Sequence, residues 1–570
     1  MTLGPTASAL ALAALPLTAL TAPALAERGA DGELRVLYWQ APTVLNPYLS
    51  TGAKDVDPAS MVIEPLAQVA PDGSLTPVLA AEIPSLENGG IAADYSAVTW
   101  KLKPGLLWSD GSPVTAEDVK FTAEYCMDPA FGCAVLQEFE GITGAEVLDA
   151  QTVRLNFDAP RFAPLQAFVG GRTPILQKAQ FAACKGAAGV SCTAQNFGPL
   201  GTGPYKVADF RPGDVAQFEL NPNYRDAAKP AFARVTVKGG GDAMAAARAV
   251  LESAEYDFAW NLQLPPEAVS AMEAAGKGRV VASFGSMVER IDLNQTNPSP
   301  ELPEGERSTV KHPHPFLTDP AVRKALSMAI DRQIIAELAY GPAGKATCTI
   351  LPMPEAYAPE APACLTQDLE GARALLDQAG WVPGPDGIRA KDGTRLALLF
   401  QTTVNPVRQD EQALVKQWWS EIGVETELKA VDGASFFGAD PGNPDTQTKF
   451  YADVEMYTDA YYLPDPASFL SKFTCDRIPT PETQWQGNNT PRFCDAGYDA
   501  GITELHATGD LAQRQQFARK LDAQLVGDGN YALPLIHRGM VSAHVNTLSG
   551  IVPNGWEGQL WNVADWSRVK

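Results

Sequence analysis

Catalytic signatures are scarce in this chain of 570 residues. The sequence has no G-x-S-x-G nucleophile elbow and no H-E-x-x-H zinc-protease motif. It has only five histidines, and the one local pair, His312 and His314, lies in a proline-rich stretch that we interpret as a solvated loop. These absences disfavour an enzyme and leave a binding protein as the better hypothesis.

Charged residues are missing from the N-terminal segment. Residues 1–26 contain no Asp, Glu, Lys or Arg, and residues 7–20 are rich in alanine and leucine. Ala24 and Ala26 are small residues of the kind that precede a signal-peptidase cleavage site. The apolar run is short for a membrane span, so we expect a cleaved signal peptide over residues 1–26. A wrong start codon or an uncleaved anchor is the alternative, because no basic residue precedes the run. No cysteine follows the small residues, which disfavours a lipid anchor.

Metal-binding cysteine spacing is absent too, because none of the eight cysteines forms a C-x2-C pair. An even number of cysteines in an exported protein indicates disulfide bonds. Sequence alone does not fix the connectivity, and pairing of nearest neighbours is the simplest hypothesis. The pairs it predicts are Cys126–Cys133, Cys184–Cys192, Cys348–Cys364 and Cys475–Cys494.

Basic residues are outnumbered, with 44 Lys and Arg against 67 Asp and Glu and a net charge of −23. An acidic balance disfavours nucleic acid and anionic membranes as partners. The chain is too long for one ordinary domain, and its 45% hydrophobic residues can form a large core. The glycine run 239–241 lacks the G-K-[ST] ending of a phosphate-binding loop, and we expect no cofactor.

One run has a clear local structure. Val98, Trp100 and Leu102 alternate with polar residues, which is typical of a half-buried strand. Thr115 is followed three residues later by Asp118, a capping-box pattern that predicts the start of a helix. A strand, a turn and a helix in close succession favour an α/β protein.

Four blocks of sequence, in order along the chain, carry a family resemblance. They are W-S-D-G-S-P-V-T-A-E-D-V at 108–119, G-T-G-P-Y at 201–205 with N-P-N-Y at 221–224, D-P-A-V-R-K-A-L-S-M-A-I-D-R at 319–332, and L-L-D-Q-A-G-W at 375–381. The third block predicts one helix, with Gly341 at its C-terminal end. Together the blocks resemble the family 5 extracellular solute-binding proteins of ABC importers, which include oligopeptide- and dipeptide-binding proteins.

The resemblance implies an α/β, two-lobed periplasmic-binding-protein fold, a hinged clamp with an extra subdomain on the first lobe. We expect the first lobe to comprise residues 27–58, 195–288 and 531–570. The subdomain would occupy residues 59–194, and the second lobe residues 289–530.

Aromatic residues at predicted strand ends are candidates for the wall of a binding cleft, because solute pockets combine aromatic walls with a few fixed polar groups. The resemblance implies that Trp260 and the segment 457–461 face that cleft. The alternative for each aromatic residue is packing in the core. The predicted ligand-binding residues are Tyr38, Trp39, Trp260, Asn261, Tyr457, Asp459 and Tyr461.

Asp459 is the candidate for a charged ligand contact. In peptide-binding relatives, an aspartate three residues before the acid of a D-P or E-P step pairs with the α-ammonium of the peptide. Here the step is Asp465-Pro466, but the third position before it holds Tyr462, and Asp459 lies six residues before. The sequence therefore departs from the peptide-binding pattern at the position of the ammonium contact. We expect Asp465 to cap the helix that follows it.

These inferences predict the periplasmic substrate-binding component of an ABC importer. It would capture peptides or a similar small solute by hinged lobe closure and deliver it to a permease in the inner membrane. A non-peptide solute such as an opine, an oligosaccharide or a chelated metal is the alternative, and a secreted hydrolase is a remote one. We expect a soluble monomer in the periplasm that binds no nucleic acid.

Overall fold

A computed structural model describes residues 1, 2, 4, 27–50, 52–303, 305–358, 363–438 and 440–569. The predicted signal peptide lies almost wholly outside the described residues. The strands are β1 (Glu33–Tyr38), β2 (Ala67–Val69), β3 (Leu75–Pro77), β4 (Ala97–Lys101), β5 (Ile142–Asp149), β6 (Thr152–Phe157), β7 (Tyr205–Arg211), β8 (Val215–Leu220), β9 (Arg234–Gly239), β10 (Phe258–Ala259), β11 (Gly278–Leu293), β12 (Gly344–Ala346), β13 (Val382–Pro383), β14 (Arg389–Lys391), β15 (Thr394–Arg395), β16 (Ala397–Thr403), β17 (Glu425–Val431), β18 (Val454–Asp459), β19 (Ala532–Val545), β20 (Leu548–Ser549) and β21 (Ser567–Arg568). The α-helices are α1 (Ala53–Ser60), α2 (Ala116–Met127), α3 (Lys178–Phe181), α4 (Thr193–Phe197), α5 (Ala243–Leu251), α6 (Pro266–Glu273), α7 (Pro320–Met328), α8 (Arg332–Ile335), α9 (Leu369–Gln378), α10 (Pro406–Glu421), α11 (Gly433–Phe436), α12 (Ala467–Leu470), α13 (Ala496–Ala507) and α14 (Leu511–Asp522).

One large sheet organises the molecule. Its strand order is β17-β16-β18-β11-β19-β10-β1-β9-β8-β7, and β12 pairs with β19. The first lobe is the half that contains β10, β1, β9, β8 and β7, and the second lobe is the half that contains β18, β16 and β17. The long strands β11 and β19 lie between the two halves and pair antiparallel with each other, so we call them the crossing strands.

The crossing strands change lobe at an irregularity in their pairing. Their register runs from Gly278↔Val545 to Phe284↔Gly539, shifts, and resumes at Val288↔His537. From Val288 onward, β11 also pairs with β18 of the second lobe. Strand β19 therefore begins in the second lobe and ends in the first lobe. The chain crosses from one lobe to the other within these paired strands.

Within residues 59–194, the segment predicted to form the subdomain, a separate three-stranded sheet has the order β4-β6-β5 and lies beside helix α2. The predicted strand is confirmed: Val98 and Trp100 in β4 are buried and Thr99 between them is not. The predicted helix start is confirmed as well. Asp118 accepts a hydrogen bond from the backbone N–H of Thr115 at 2.9 Å, at the first turn of α2.

The third sequence block differs from the prediction of one helix. Helix α7 ends at Met328, and Asp331 begins a new helix because its side chain accepts the backbone N–H of Ile334 at 3.0 Å. The second helical segment ends before Gly341, whose φ of 53° suits glycine. The apolar face of α7 is buried as predicted, including Val322 and Leu326.

The four disulfide bonds join the cysteines that the nearest-neighbour hypothesis pairs. They are Cys126–Cys133 and Cys184–Cys192 in the subdomain, and Cys348–Cys364 and Cys475–Cys494 beyond the crossing strand β11. Each bond closes a short loop, because the paired residues are 7 to 19 positions apart in the sequence.

A buried carboxyl at the end of α14 gives the fold a pH dependence. Asp522 accepts the backbone N–H of Ile350 at 3.0 Å, and burial raises the pKa of Asp522 to about 7. Because this pKa lies above the unfolded value, the folded state holds the proton more tightly, and stability falls as the pH rises from about 4 to about 7 and then levels off. We expect Asp522→Asn to raise the free energy of unfolding by about 2–4 kcal/mol at pH 8.5 and by less than half as much at pH 5, where the folded carboxyl is still protonated but the unfolded one is already ionised.

Urea unfolding at both pH values measures this difference. Asp410→Asn, at an exposed position of α10, is the matched control, and we expect it to change little at either pH. A loss of stability in Asp522→Asn at pH 8.5 would contradict the prediction.

Candidate functional site

The candidate site is the cleft between the lobes, where side chains of the subdomain meet the second lobe. Gln137 donates to the backbone carbonyl of Ser468 and accepts from Asn488 at 3.1 Å. The guanidinium of Arg477 lies 3.5 Å from the carboxylate of Glu140. These contacts show that the lobes touch each other across the cleft in this structure.

The first-lobe wall begins where β1 ends. The ring of Tyr38 stacks on Trp260 with a centroid separation of 4.6 Å, and both side chains are buried. Trp39 is only half-buried, and its indole N–H donates to the carbonyl of Asn261 at 2.9 Å. Among these four predicted ligand contacts, only Trp39 and Asn261 therefore reach the surface. The buried pair Tyr38 and Trp260 belongs to the core behind the wall.

A carboxylate that the sequence analysis did not identify lies under this aromatic pair. Oδ2 of Asp57 accepts hydrogen bonds from the indole N–H of Trp260 at 2.9 Å and from the backbone N–H of Gln559 at 3.0 Å. Tyr38 donates to the same oxygen at 3.4 Å. Burial raises the pKa of Asp57 to about 6 against the lowering effect of these bonds. No motif distinguishes Asp57, because its partners come from residues 19 to 502 positions away.

The second-lobe wall is the end of β18. The hydroxyl of Tyr457 is buried and donates to Asp292 at 2.8 Å, within strand-to-strand packing of β18 on β11. Tyr461 is buried too: its ring lies 5.0 Å from that of Phe469, and its hydroxyl donates to the carbonyl of Met353. The structure therefore places both tyrosines in the core, and it does not bring them together as an open pocket wall.

Asp459 is half-buried and faces the cleft, but it already has partners. It lies 2.9 Å from a guanidinium nitrogen of Arg290 and 3.1 Å from the ammonium of Lys472. Burial alone would raise the pKa of Asp459, but Lys472 and Arg290 outweigh burial and lower the pKa to about 2. Asp459 is therefore ionised and neutralised by the protein's own cations.

Two further charged residues face the same place from the subdomain. The guanidinium of Arg172 lies 4.4 Å from the ring centre of Tyr462, across the cleft, and 3.9 Å from the carboxylate of Glu138. Burial raises the pKa of Glu138. We call Glu138, Arg172, Arg290, Asp459 and Lys472 the cleft charge cluster.

Comparison with known proteins assigns the chain to a family. The sequence model described as "Bacterial extracellular solute-binding proteins, family 5 Middle" matches residues 74–478, more than half of the chain. The chain belongs to this family. The family 5 protein is also similar in sequence to Protein XP55 of Streptomyces lividans, with 28% identity over 70% of this chain and 66% of that protein.

Two solved structures show that the fold is shared. The oligopeptide-binding protein AppA of Bacillus subtilis, in complex with a nonapeptide, has a TM-score of 0.78 and 21% identity over 96% of this chain and 100% of that chain. NikZ of Campylobacter jejuni, in complex with Ni(L-His), also has a TM-score of 0.78, with 22% identity over 95% of this chain and 100% of that chain. The two-lobed fold expected from the sequence is thereby confirmed.

Residues outside the cleft that the sequence analysis considered, His314 and Asp465, have structural roles in this family 5 protein. His314 is buried rather than solvated as predicted, because its imidazole contacts Asp453 at 2.9 Å and orders the turn before α7. Asp465 accepts the N–H of Ala467 at the start of α12, although it lies one position before the N-cap residue, Pro466, rather than at the predicted cap itself. Among the described residues, no cluster of three or more His, Cys, Asp or Glu side chains is arranged for a metal ion. None of the described helices is both long and apolar enough for a membrane crossing.

Proposed function

We propose that this family 5 protein is the periplasmic substrate-binding component of an ABC importer and has no catalytic role. It captures peptides or a similar small solute between its lobes and delivers the solute to a permease in the inner membrane. The observation that carries the proposal is the cleft, where charged and aromatic side chains from both lobes meet beside the crossing strands.

Lobe closure fits this role for a physical reason. A solute that contacts both Trp39 of the first lobe and the cleft charge cluster binds the closed form more tightly than the open one. It therefore shifts the population toward closure, and a permease can distinguish the loaded protein by its shape. The structures of AppA with a nonapeptide and of NikZ with Ni(L-His) support both a peptide and a non-peptide solute for this fold.

A non-peptide solute is favoured by one observation, the pairing of Asp459 with Arg290 and Lys472. A carboxylate that already pairs with two cations of the protein is not a vacant partner for the ammonium of a peptide. Opines, oligosaccharides and chelated metals are the classes of solute that this alternative includes.

Native mass spectrometry of protein purified from the periplasm without unfolding tests the proposal. We expect bound mass in excess of the mature chain, as a ladder if the solutes are peptides and as one discrete increment if the solute is dedicated. The same spectra show whether the protein is the expected monomer. Protein that carries no solute and that binds none from a periplasmic extract after dialysis would contradict the proposed function.

A further inference from the structure

The carboxylate of Asp459 has no acceptor capacity left. Its Oδ1 accepts the backbone N–H of Ala460 at 2.8 Å and the ammonium of Lys472 at 3.1 Å. Its Oδ2 accepts from Arg290 at 2.9 Å and from the same ammonium at 3.4 Å. A carboxylate offers about four lone-pair sites, and these four contacts occupy them.

The two cations differ in how firmly they are held. Arg290 is buried and its guanidinium also contacts both carboxylate oxygens of Asp292, at 2.7 and 3.2 Å. Lys472 forms its ion pair with Asp459, lies close enough to Glu138 to act on the charge of that carboxyl, and keeps 19% of its side chain exposed. Lys472 is thus the group at the cleft surface, and Arg290 supports Asp459 from behind.

A ligand ammonium at Asp459 would have to displace Lys472. It would exchange one ammonium for another on the same oxygens and would leave the displaced lysine charge in a partly desolvated cleft. An oxygen acceptor faces no such exchange, because the ammonium of Lys472 has three donors and can direct one to the ligand while it stays near Asp459.

We propose that Lys472 occupies the position of a ligand ammonium, so that the cleft selects solutes with no free primary ammonium at this point. The solute instead presents an oxygen acceptor to Lys472, as a carboxylate or as the carbonyl of a blocked amine does. This inference rests on the proposed function, since it concerns the solute that the cleft holds.

The cluster has one other carboxyl that a free ammonium could use, and it belongs to the subdomain. Glu138 faces Arg172 at 3.9 Å. Binding of free-amine solutes through Glu138 is therefore the competing arrangement, and the experiment has to detect it.

A matched pair of ligand mixtures tests the inference. One mixture contains di- to pentapeptides without lysine and with free amino termini, and the other contains the same peptides after N-acetylation. Dissociation constants for both are measured on the wild-type protein, on Lys472→Met and on Lys472→Gln, which keeps a polar side chain without the charge. Lys416→Met, at an exposed position of α10, is the control.

We expect the wild-type protein and Lys416→Met to bind the acetylated mixture at least about tenfold more tightly than the free one. In both Lys472 variants, we expect affinity for the free-amine mixture to rise about tenfold or more, because Asp459 regains acceptor sites for an ammonium. Tighter wild-type binding of the free-amine mixture, whether through Asp459 or Glu138, overturns the inference. The inference is also overturned if the wild-type protein and both Lys472 variants prefer the same mixture to the same extent.

If no peptide from either mixture binds, the solute that copurifies with the protein is analysed instead. After release, it is treated with a reagent that labels primary amines. A solute that is not labelled supports the inference, and a labelled one overturns it while the proposed function stands. If no protein carries or binds any solute, the proposed function itself fails and this inference fails with it.

Discussion

Replacement of Arg290 by methionine is expected to lower the free energy of unfolding by about 3–5 kcal/mol. The guanidinium of Arg290 is buried and lies between two carboxylates, at 2.7 Å from Asp292 and 2.9 Å from Asp459. Methionine restores most of the volume but none of the charge. Asp459 retains Lys472, but Asp292, which is completely buried, is left with the hydroxyl donors of Tyr457 and Thr490 and with no direct ion pair among the described residues.

Urea unfolding of the variant at pH 7 and pH 4 tests this expectation. The loss of unfolding free energy in Arg290→Met should be smaller at pH 4 than at pH 7, because protonation removes the unpaired charge of the buried Asp292. Arg395→Met is the matched control: Arg395 also contacts two carboxylates, Asp386 and Glu425, but all three side chains are exposed. Water screens exposed pairs, so we expect little change in Arg395→Met, and equal losses in the two variants would contradict this explanation of the Arg290→Met result.

Replacement of Gly285 by alanine is expected to destabilise the protein by about 3 kcal/mol or more. Gly285 lies in β11 at the irregularity where the crossing strands change lobe. A Cβ atom there would lie 1.8 Å from the backbone oxygen of Gly555 and 2.5 Å from its carbonyl carbon. Because the obstacle is backbone rather than a movable side chain, one of the two segments has to shift.

Gly144→Ala provides the comparison, since Gly144 lies in β5 of the subdomain with no atom within 4 Å of the added Cβ. Thermal and urea unfolding of the two variants should show a large loss for Gly285→Ala and little change for Gly144→Ala. A Gly285→Ala protein as stable as the wild type would mean that the C-terminal segment near Gly555 moves away from the crossing strand at little cost.

Local structure was predictable from the sequence where neighbouring residues determine it. The alternation around Trp100 predicts β4, and the pair Thr115 and Asp118 predicts the start of α2, because both signals depend on contacts within a few residues. The division of the third block into two helices was missed. Asp331 could have indicated it, since an aspartate within a helical pattern is also a helix-capping residue.

The cleft was harder to predict, because its geometry depends on residues that are distant in the sequence. Aromatic residues at strand ends were expected to face a ligand, but consecutive side chains of a strand point to opposite sides, and Tyr38 points into the core while Trp39 does not. The pairing of Asp459 with Arg290 spans 169 positions. No local pattern could show that this carboxylate has a partner.

The disulfide bonds have a consequence for the connectivity of the oxidised chain. They close four small rings that follow one another along the sequence, and no ring overlaps or encloses another. The four rings are therefore independent, and reduction of one bond leaves the other three rings unchanged in length. None of the rings includes a residue of either crossing strand and none links the two lobes, so the disulfide bonds add no covalent connection between the lobes beyond the chain itself.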